Sequence, residues 1–553
     1  MAENNNISDL ISKFREEEEE SLAKKLADML QLKYFNLKFH SVNPEALKVI
    51  PEEIAKDLKI VGIEKAGKKL IIGAINPLDK NLQEYLKKLK DDGYDIEIGV
   101  VSKSSLEKGW KEYKFIKTKK IKYTEILEID EVKLRNILEN LKTKDDLRNI
   151  LNTLEKENPL EILDYLIGGA IKFNASDIHL EPTEKNIIIK LRIDGILYEF
   201  ASFSRSIYTL LKNRIKLFAG LFLNITEKPQ DGRFSIRLGN KNIEIRTSTI
   251  PSSYDETIVM RILDIEKIML PLEKLGLEEY DREIIEYYIK QPNGLILNTG
   301  PTGSGKTTTL YAILNKIKRP EIKIITIEDP IEYKLEGITQ TQVNPSENYT
   351  FATGLRSILR QDPDVILVGE IRDRETAEIA IHASLTGHLV LSTLHTNDSL
   401  GAVPRLIDLG VDKTLIPPAL RLVIAQRLLR RVCEYCKEEY EPDEKIKNII
   451  IKTLKTIPEK VFKTLDLNNF KLVKAKGCEK CAYLGYKGRI AIFELLRITE
   501  DMGRIIYTEP SEFTILEQAL KDGFINLKQA GLIKALKQIT TIDEVERVAG
   551  SLI

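Results

Sequence analysis

At 553 residues, with 42% apolar and 30% charged content, the chain has a globular composition and is too long for one core; roughly three or four domains are expected. Its 84 basic and 84 acidic residues cancel, which argues against a dedicated nucleic-acid binder with its basic surplus. No run approaches the ~18 apolar residues of a membrane span, and the opening residues lack the basic and apolar segments of a signal peptide. A cytosolic protein is expected, unless a partner holds it at a membrane.

Residues 1–118 read as a separate, partner-docking module. The acidic run Glu16 to Glu20, followed by Lys24 and Lys25, predicts an exposed, salt-bridged helix face. Pro51 precedes a helix opening at Glu52, Lys69 to Ile75 reads as a strand, and Asn76 to Asp79 as a turn. Nothing there is catalytic. In residues 119–158, Leu and Ile recur at three- and four-residue steps, which reads as a linker of amphipathic helices.

From 159 to 270 short β-runs predominate: Asn186 to Arg192, Arg233 to Arg237 and Ile243 to Arg246, with turns at Asp194-Gly195 and Asp231-Gly232. These predict a small mixed α/β domain. It carries an arginine series, Arg192, Arg233, Arg246 and Arg261. Strand arginines usually partner carboxylates; the alternative is a phosphate, which suits the guanidinium fork. An interdomain linker at 271–282 leads to a nucleotide core at 283–425.

That core opens with Gly300, Pro301, Thr302, Gly303, Ser304, Gly305, Lys306, Thr307 and Thr308, which fits the phosphate-binding loop at every fixed position. Gly300, Gly303 and Gly305 allow the tight turn that aims backbone N–H groups at phosphates. Lys306 reaches the β/γ-phosphates, and the Thr307 hydroxyl completes a Mg²⁺ shell. The apolar run from Gly294 to Asn298 precedes it as a strand, and Thr308 to Lys318 follows as a helix whose N-terminus faces the anion. Three further strands follow, ending at Glu328-Asp329, at Glu370 and at His395. Ligands of open α/β sheets collect at those carboxyl ends. A carboxylate there holds Mg²⁺ and another orients the attacking water, since phosphoryl transfer asks mainly for positioning and charge stabilisation. His388 and His395 flank one strand and read as γ-phosphate sensors, whereas His382 reads as an ordinary position on a helix over 373–386.

With these residues in place, the run from Phe351 to Asp373 resembles the signature of the type II/type IV secretion ATPases. The phosphate loop at 300–308, an aspartate box at 326–333 and a histidine box at 388–397 are similar to theirs, and the likeness is strongest to the pilus-assembly members. The resemblance spans roughly 45–550 and is most specific from 175 to 410. It implies a multidomain α/β protein with a RecA-like core, preceded by a PAS-like domain. It implies too a homo-hexameric, Mg-dependent ATPase at the bacterial inner membrane that drives assembly of a type IV pilus or a type II secretion pseudopilus. Its partners would be a polytopic platform protein and a cytoplasmic ring component, with no nucleic acid. Carried over by position, Glu328 is the hydrolytic carboxylate and Glu370 serves Mg²⁺. His388 and His395 form a sensor pair, Arg246, Arg261, Arg356 and Arg360 are directed at phosphate, and Arg489 lies near the adenine.

The four cysteines form two C-x₂-C pairs, Cys433 with Cys436 and Cys478 with Cys481, which is what tetrahedral Zn²⁺ needs. The 41 residues between the pairs exceed the usual ribbon spacing. Two disulfides are disfavoured in a cytosolic chain. The assembly members of the resembled family carry such a site. A zinc subdomain over 426–495 and a helical C-terminal subdomain over 496–553 complete the plan. Some relatives bind cyclic di-GMP through motifs starting Arg-Leu-Gly; none occurs in residues 1–118, which favours partner docking there. Two other classes stay open: a nucleic-acid motor on the same core, and a nucleotide-gated scaffold without turnover.

Overall fold

The computed structural model describes residues 18–37, 42–91, 93–113, 131–158, 161–238, 241–263 and 269–552. The chain divides into two compact units, 1–125 and 126–553. The first holds a four-stranded sheet of β1 (Lys33–Tyr34), β2 (Ile60–Ala66), β3 (Lys69–Ala74) and β4 (Asp95–Val100), in the order β1-β4-β3-β2. β2 and β3 form a hairpin, and the helix Lys80–Asp91 crosses over to the parallel strand β4, burying Leu82, Leu86 and Leu89. The acidic run departs from its expected exposure. Glu16 lies outside the described residues, and the Glu20 carboxylate accepts from Ser102 Oγ and Ser105 Oγ, both at 2.7 Å, while Glu19 accepts from the Ser104 amide at 3.0 Å. These carboxylates sit at the N-terminus of the helix Lys103–Lys111, where amide groups and the helix dipole favour negative charge.

The second unit begins with helices Glu131–Asn140, Lys144–Glu157 and Ile162–Lys172. A six-stranded antiparallel sheet follows: β5 (Ala175–Pro182), β6 (Asn186–Ile193), β7 (Ile196–Ser204), β8 (Gln230–Leu238), β9 (Lys241–Pro251) and β10 (Glu256–Leu263), ordered β7-β6-β5-β10-β9-β8. Leu134, Ile137, Leu147 and Leu151 share one core with Ile178, Leu180, Ile189 and Leu191 of the sheet. The described part of the expected linker, from 131 on, is therefore part of this domain, because its apolar stripe is buried against the sheet. The expected turn at Asp231-Gly232 is also replaced. β8 runs straight through it, and glycine is needed because a Cβ at Gly232 would lie 2.1 Å from the Ala219 carbonyl oxygen.

The nucleotide core is a seven-stranded sheet built from β11 (Gly294–Thr299), β12 (Ile324–Glu328), β13 (Thr339–Gln342), β14 (Val365–Val368), β15 (Leu389–Leu394), β16 (Leu420–Val432) and β19 (Tyr486–Arg497). Their order is β13-β12-β14-β15-β11-β16-β19, parallel except for β19. Strands such as Val365–Val368 are buried on both faces, which is why they read as unbroken apolar runs. On one face Leu310, Tyr311 and Leu314 pack on Ile296, Leu367 and Leu391. On the other, Leu355, Ile358, Ala377 and Ile381 pack on Leu295, Leu297, Ile366 and Val390.

Two proposed boundaries move. The line at 425/426 falls inside β16, whose Gln426 touches the phosphate loop, so the core sheet includes β16 and β19. The linker at 271–282 is seated in the core through Leu272 and Leu275. Between β16 and β19 lie the hairpin-like pair β17 (Lys437–Tyr440) and β18 (Leu472–Ala475) with the helix Glu444–Leu454. Helices Glu500–Thr508, Glu512–Lys521, Leu527–Leu536 and Ile542–Ala549 close the chain. Among the described residues, no helix is long and apolar enough to cross a membrane.

Candidate nucleotide site and metal centre

β11 ends at Thr299 and the helix Lys306–Ile317 starts directly after the loop, so the loop amides lie at a helix N-terminus. Gly300, Gly303 and Gly305 take φ of 141°, 79° and 92°, which side chains rarely adopt. A Cβ on Gly300 would also stand 2.6 Å from the Gln426 carbonyl oxygen, and one on Gly305 2.8 Å from Gln426 Nε2. The loop is therefore folded against β16. Gln426 Oε1 accepts from Thr309 Oγ1 at 2.7 Å and from Asn298 Nδ2 at 3.3 Å, while buried Ser304 Oγ and Asn298 Oδ1 have no hydrogen-bond partner among the described residues.

Lys306 Nζ donates to the carbonyls of Gly300 (2.7 Å) and Pro301 (3.1 Å). Burial lowers its pKa, Glu370 opposes that shift, and Arg427 adds to it. Glu370 stands just past β14. Its turn is pinned by Thr393 Oγ1 donating to Gly369 O at 2.8 Å and by the Ile371 amide donating to Thr393 O at 2.9 Å. The Glu370 carboxylate meets Arg372 Nη2 at 2.5 Å and His395 Nε2 at 3.2 Å. Beside it, Thr299 Oγ1 and Thr396 Oγ1 share a hydrogen bond of 2.6 Å, joining the ends of β11 and β15. The carboxyl ends of these strands thus collect one lysine, one carboxylate, one imidazole and two arginines, a set suited to a metal-bound polyphosphate.

Glu328 ends β12, three strands from β11, or about 14 Å across the sheet. It is buried. Its Oε2 accepts from Tyr311 OH, and its Oε1 accepts from Thr326 Oγ1 at 2.5 Å and Gln340 Nε2 at 3.2 Å.

The two histidines of the expected sensor pair are not brought together. His395 is at the site, but His388 precedes β15 and its Nδ1 faces the Ala383 carbonyl at 3.0 Å. Flanking one strand means lying at its opposite ends, here about 20 Å apart.

The arginines distribute over three places. Arg192, Arg261, Arg246 and Arg233 form a row across β6, β10, β9 and β8, with Asp177 of β5 between the first two. Asp177 accepts from Arg261 Nε at 2.9 Å and pairs with Arg192 at 3.4 Å. Arg246 reaches the core, bonding Ile331 O at 3.1 Å and Glu332 at 2.9 Å, just after Glu328. Arg356 on the helix Phe351–Leu359 pairs with Glu375 at 2.6 Å, and Arg360, which caps that helix, bonds back to Arg356 O at 3.0 Å; both are exposed. Arg489 stands 3.9 Å from Asp194 in the β6–β7 turn.

Gln426, Arg427, Arg372 and the Thr299–Thr396 pair were not anticipated. Gln426 and Arg427 lie in an apolar strand whose neighbour in space, the phosphate loop, is more than a hundred residues away in sequence.

The four cysteine sulfurs lie within 4.8 Å of one another. Cys433 to Cys478 is 3.9 Å, Cys436 to Cys481 3.8 Å and Cys478 to Cys481 3.9 Å. A disulfide needs about 2.05 Å, whereas thiolates about 2.3 Å from one tetrahedral ion stand about 3.8 Å apart. Amides of Gly477, Cys478 and Gly485 donate to Cys436, Cys481 and Cys481 at 3.2–3.3 Å, as thiolates require. Burial pushes the Cys433 thiol up and the Cys436 thiol up to about 12, whereas for Cys481, despite burial, the amides of Cys478 and Gly485 hold the thiol below its ordinary value. The donor set fits a closed metal centre with no open position.

Strand order and loop together define a RecA-like P-loop ATPase, one strand (β15) separating the phosphate-loop strand from the acidic strand β14. A profile of the family described as "Type II/IV secretion system protein" matches residues 153–547, and the chain belongs to that family. It is 45% identical over 419 residues to the type II secretion system protein E of Dickeya dadantii, covering 76% of this chain and 80% of that protein. It is 36% identical over 531 residues to the type IV pilus assembly ATPase PilB of Myxococcus xanthus, covering 94% and 90%. Among solved structures it is similar to the ATPase DotB of Legionella pneumophila, with a TM-score of 0.50 at 22% identity, covering 70% of this chain and 95% of that one. That last likeness concerns the fold.

Proposed function

We propose that this chain is a Mg²⁺-dependent ATPase that works as a homo-hexameric motor, powering assembly of a type IV pilus or type II secretion pseudopilus. The observation that supports the reading best is Arg246. It crosses from the β5–β10 sheet to the segment following Glu328, linking a second domain to the carboxylate that ends β12. A motor needs such a link between chemistry and domain movement.

The backbone of Gly300 to Thr308, with Lys306, would hold the phosphates, and Thr307 and Glu370 the Mg²⁺. When bound there, Mg²⁺ would supply neutralisation of phosphate charge. Glu328 orients and activates water, and His395 senses the state of Glu370. Arg246, Arg261, Arg356 and Arg360 supply positive charge to phosphate as domains and neighbouring subunits close. Zinc is the ion for Cys433, Cys436, Cys478 and Cys481. Residues 1–118 dock on a partner, and the motor works at the inner face of the plasma membrane against a polytopic platform protein and a ring component.

Two variants test the division of roles. Lys306→Ala is expected to lose ATP affinity in equilibrium binding. Glu328→Gln is expected to bind ATP normally while turnover falls about 10²–10⁴-fold. Turnover near wild type in Glu328→Gln removes the assignment.

A further inference from the structure

We propose that Tyr311 is a positioning residue for the hydrolytic carboxylate: its phenol, together with Gln340, keeps Glu328 turned into the fold, and turnover proceeds from the released side chain. The inference rests on the reading of Glu328 as the hydrolytic group. Only 4% of Glu328 is exposed. One carboxylate oxygen accepts from Tyr311 OH, and the other from Thr326 Oγ1 and Gln340 Nε2. A group that takes a proton from water needs a lone pair facing that water. Here both oxygens face protein donors.

The hold is tied to the phosphate-loop helix and to the segment that Arg246 contacts. Tyr311 is fully buried in the helix that begins at Lys306, so its phenol is placed by the element that presents the phosphate loop. Burial and the neighbouring Glu328 charge both push that phenol far above its ordinary pKa, so it remains a donor. Its ring packs edge-on against Tyr333, with centroids 4.7 Å apart and planes at 77°. The Tyr333 carbonyl in turn accepts from Gln340 Nε2 at 3.1 Å. Tyr333 follows Ile331 and Glu332, the two residues that Arg246 grips. Movement of the arginine-bearing sheet therefore acts on the same tyrosine pair and glutamine that hold Glu328.

Steady-state ATPase kinetics of the full chain test this. Tyr311→Phe keeps the ring and removes the donor. The expected result is a kcat about tenfold higher at unchanged KM for ATP, because a donor to a charged acceptor is lost. Gln340→Met removes the second donor and is expected to change kcat in the same direction, which keeps the test open if Tyr311→Phe folds poorly. A kcat unchanged or lowered in both variants, or an effect confined to KM, overturns the proposal. Combining Tyr311→Phe with Glu328→Gln is expected to be as inactive as Glu328→Gln alone; residual gain in the double variant overturns it too. Wild-type turnover in Glu328→Gln would instead remove the underlying reading of Glu328. An inactive Glu328→Gln beside a Tyr311→Phe of wild-type kcat removes only the hold.

Discussion

Gln426 is the residue against which the phosphate loop is folded. Its side-chain oxygen serves Thr309 and Asn298, and its backbone and amide nitrogen occupy the space that side chains at Gly300 and Gly305 would need. Gln426→Leu keeps the volume and leaves the buried Thr309 hydroxyl without its acceptor, while Asn298 Nδ2 keeps only the Lys306 carbonyl at 3.4 Å. Such a loss costs about 1–3 kcal/mol, to be read from chemical denaturation of the full chain. Because Thr309 and Asn298 flank the loop on either side, KM for ATP is expected to rise as well. Equal stability and equal KM would show the loop to be held by other contacts. The sequence announces the loop through its glycines but is silent on Gln426, which looks like one polar residue in an apolar strand.

At the scale of elements, the segment before the helix Glu279–Tyr288 reads as a linker and is instead a docked joint. Glu278 meets Lys534 and Lys537, each at 2.5 Å, at the end of the helix Leu527–Leu536. Beneath that pair lies Asp281. Burial, and then the Glu278 charge, push its carboxyl up to about 7, against the pull of Lys534 and the Glu278 amide. A folded-state value raised above the unfolded one, near about 4, means that the stability it contributes is complete below that lower value. It is lost as pH rises through about 7, where the buried group ionises. The melting temperature of the wild type is therefore expected to fall by a few degrees, between about pH 4 and pH 7, relative to Asp281→Asn. Parallel pH profiles for the two proteins would contradict the assignment. Periodicity predicts the helix here, but the burial of Asp281 comes from an element some 250 residues later.

For the whole molecule, β16 and β19 run past the nucleotide core and carry the cysteine cluster at their outer ends. This region also braces the β5–β10 domain. The Gly488 amide bonds Asp194 at 2.9 Å, Arg430 reaches Tyr198 OH at 3.4 Å, and Leu484 packs on that domain's core. We expect one zinc per chain by elemental analysis of protein purified without added metal. Its removal by a chelator, or by Cys433→Ser with Cys478→Ser, is expected to lower the melting temperature and to expose the region between 433 and 488 to proteolysis. ATP binding should survive better than turnover, since the phosphate loop sits on β11 and the domain link is what loosens. Absence of zinc, or a melting curve indifferent to chelation, would rule out a structural centre.

By itself the sequence determined the phosphate loop, the paired cysteines, the acidic strand ends and the family. Each is set by local spacing, because a few consecutive residues dictate a turn, a knuckle or a strand terminus. Only the tertiary structure decided which strands lie side by side and which side chains meet across them. That ordering places Arg261 on Asp177 and Arg246 on Ile331 and Glu332, and turns Glu328 towards Tyr311. Strand order and side-chain orientation arise from contacts between segments far apart in the chain, and those contacts leave no periodic mark on either segment alone.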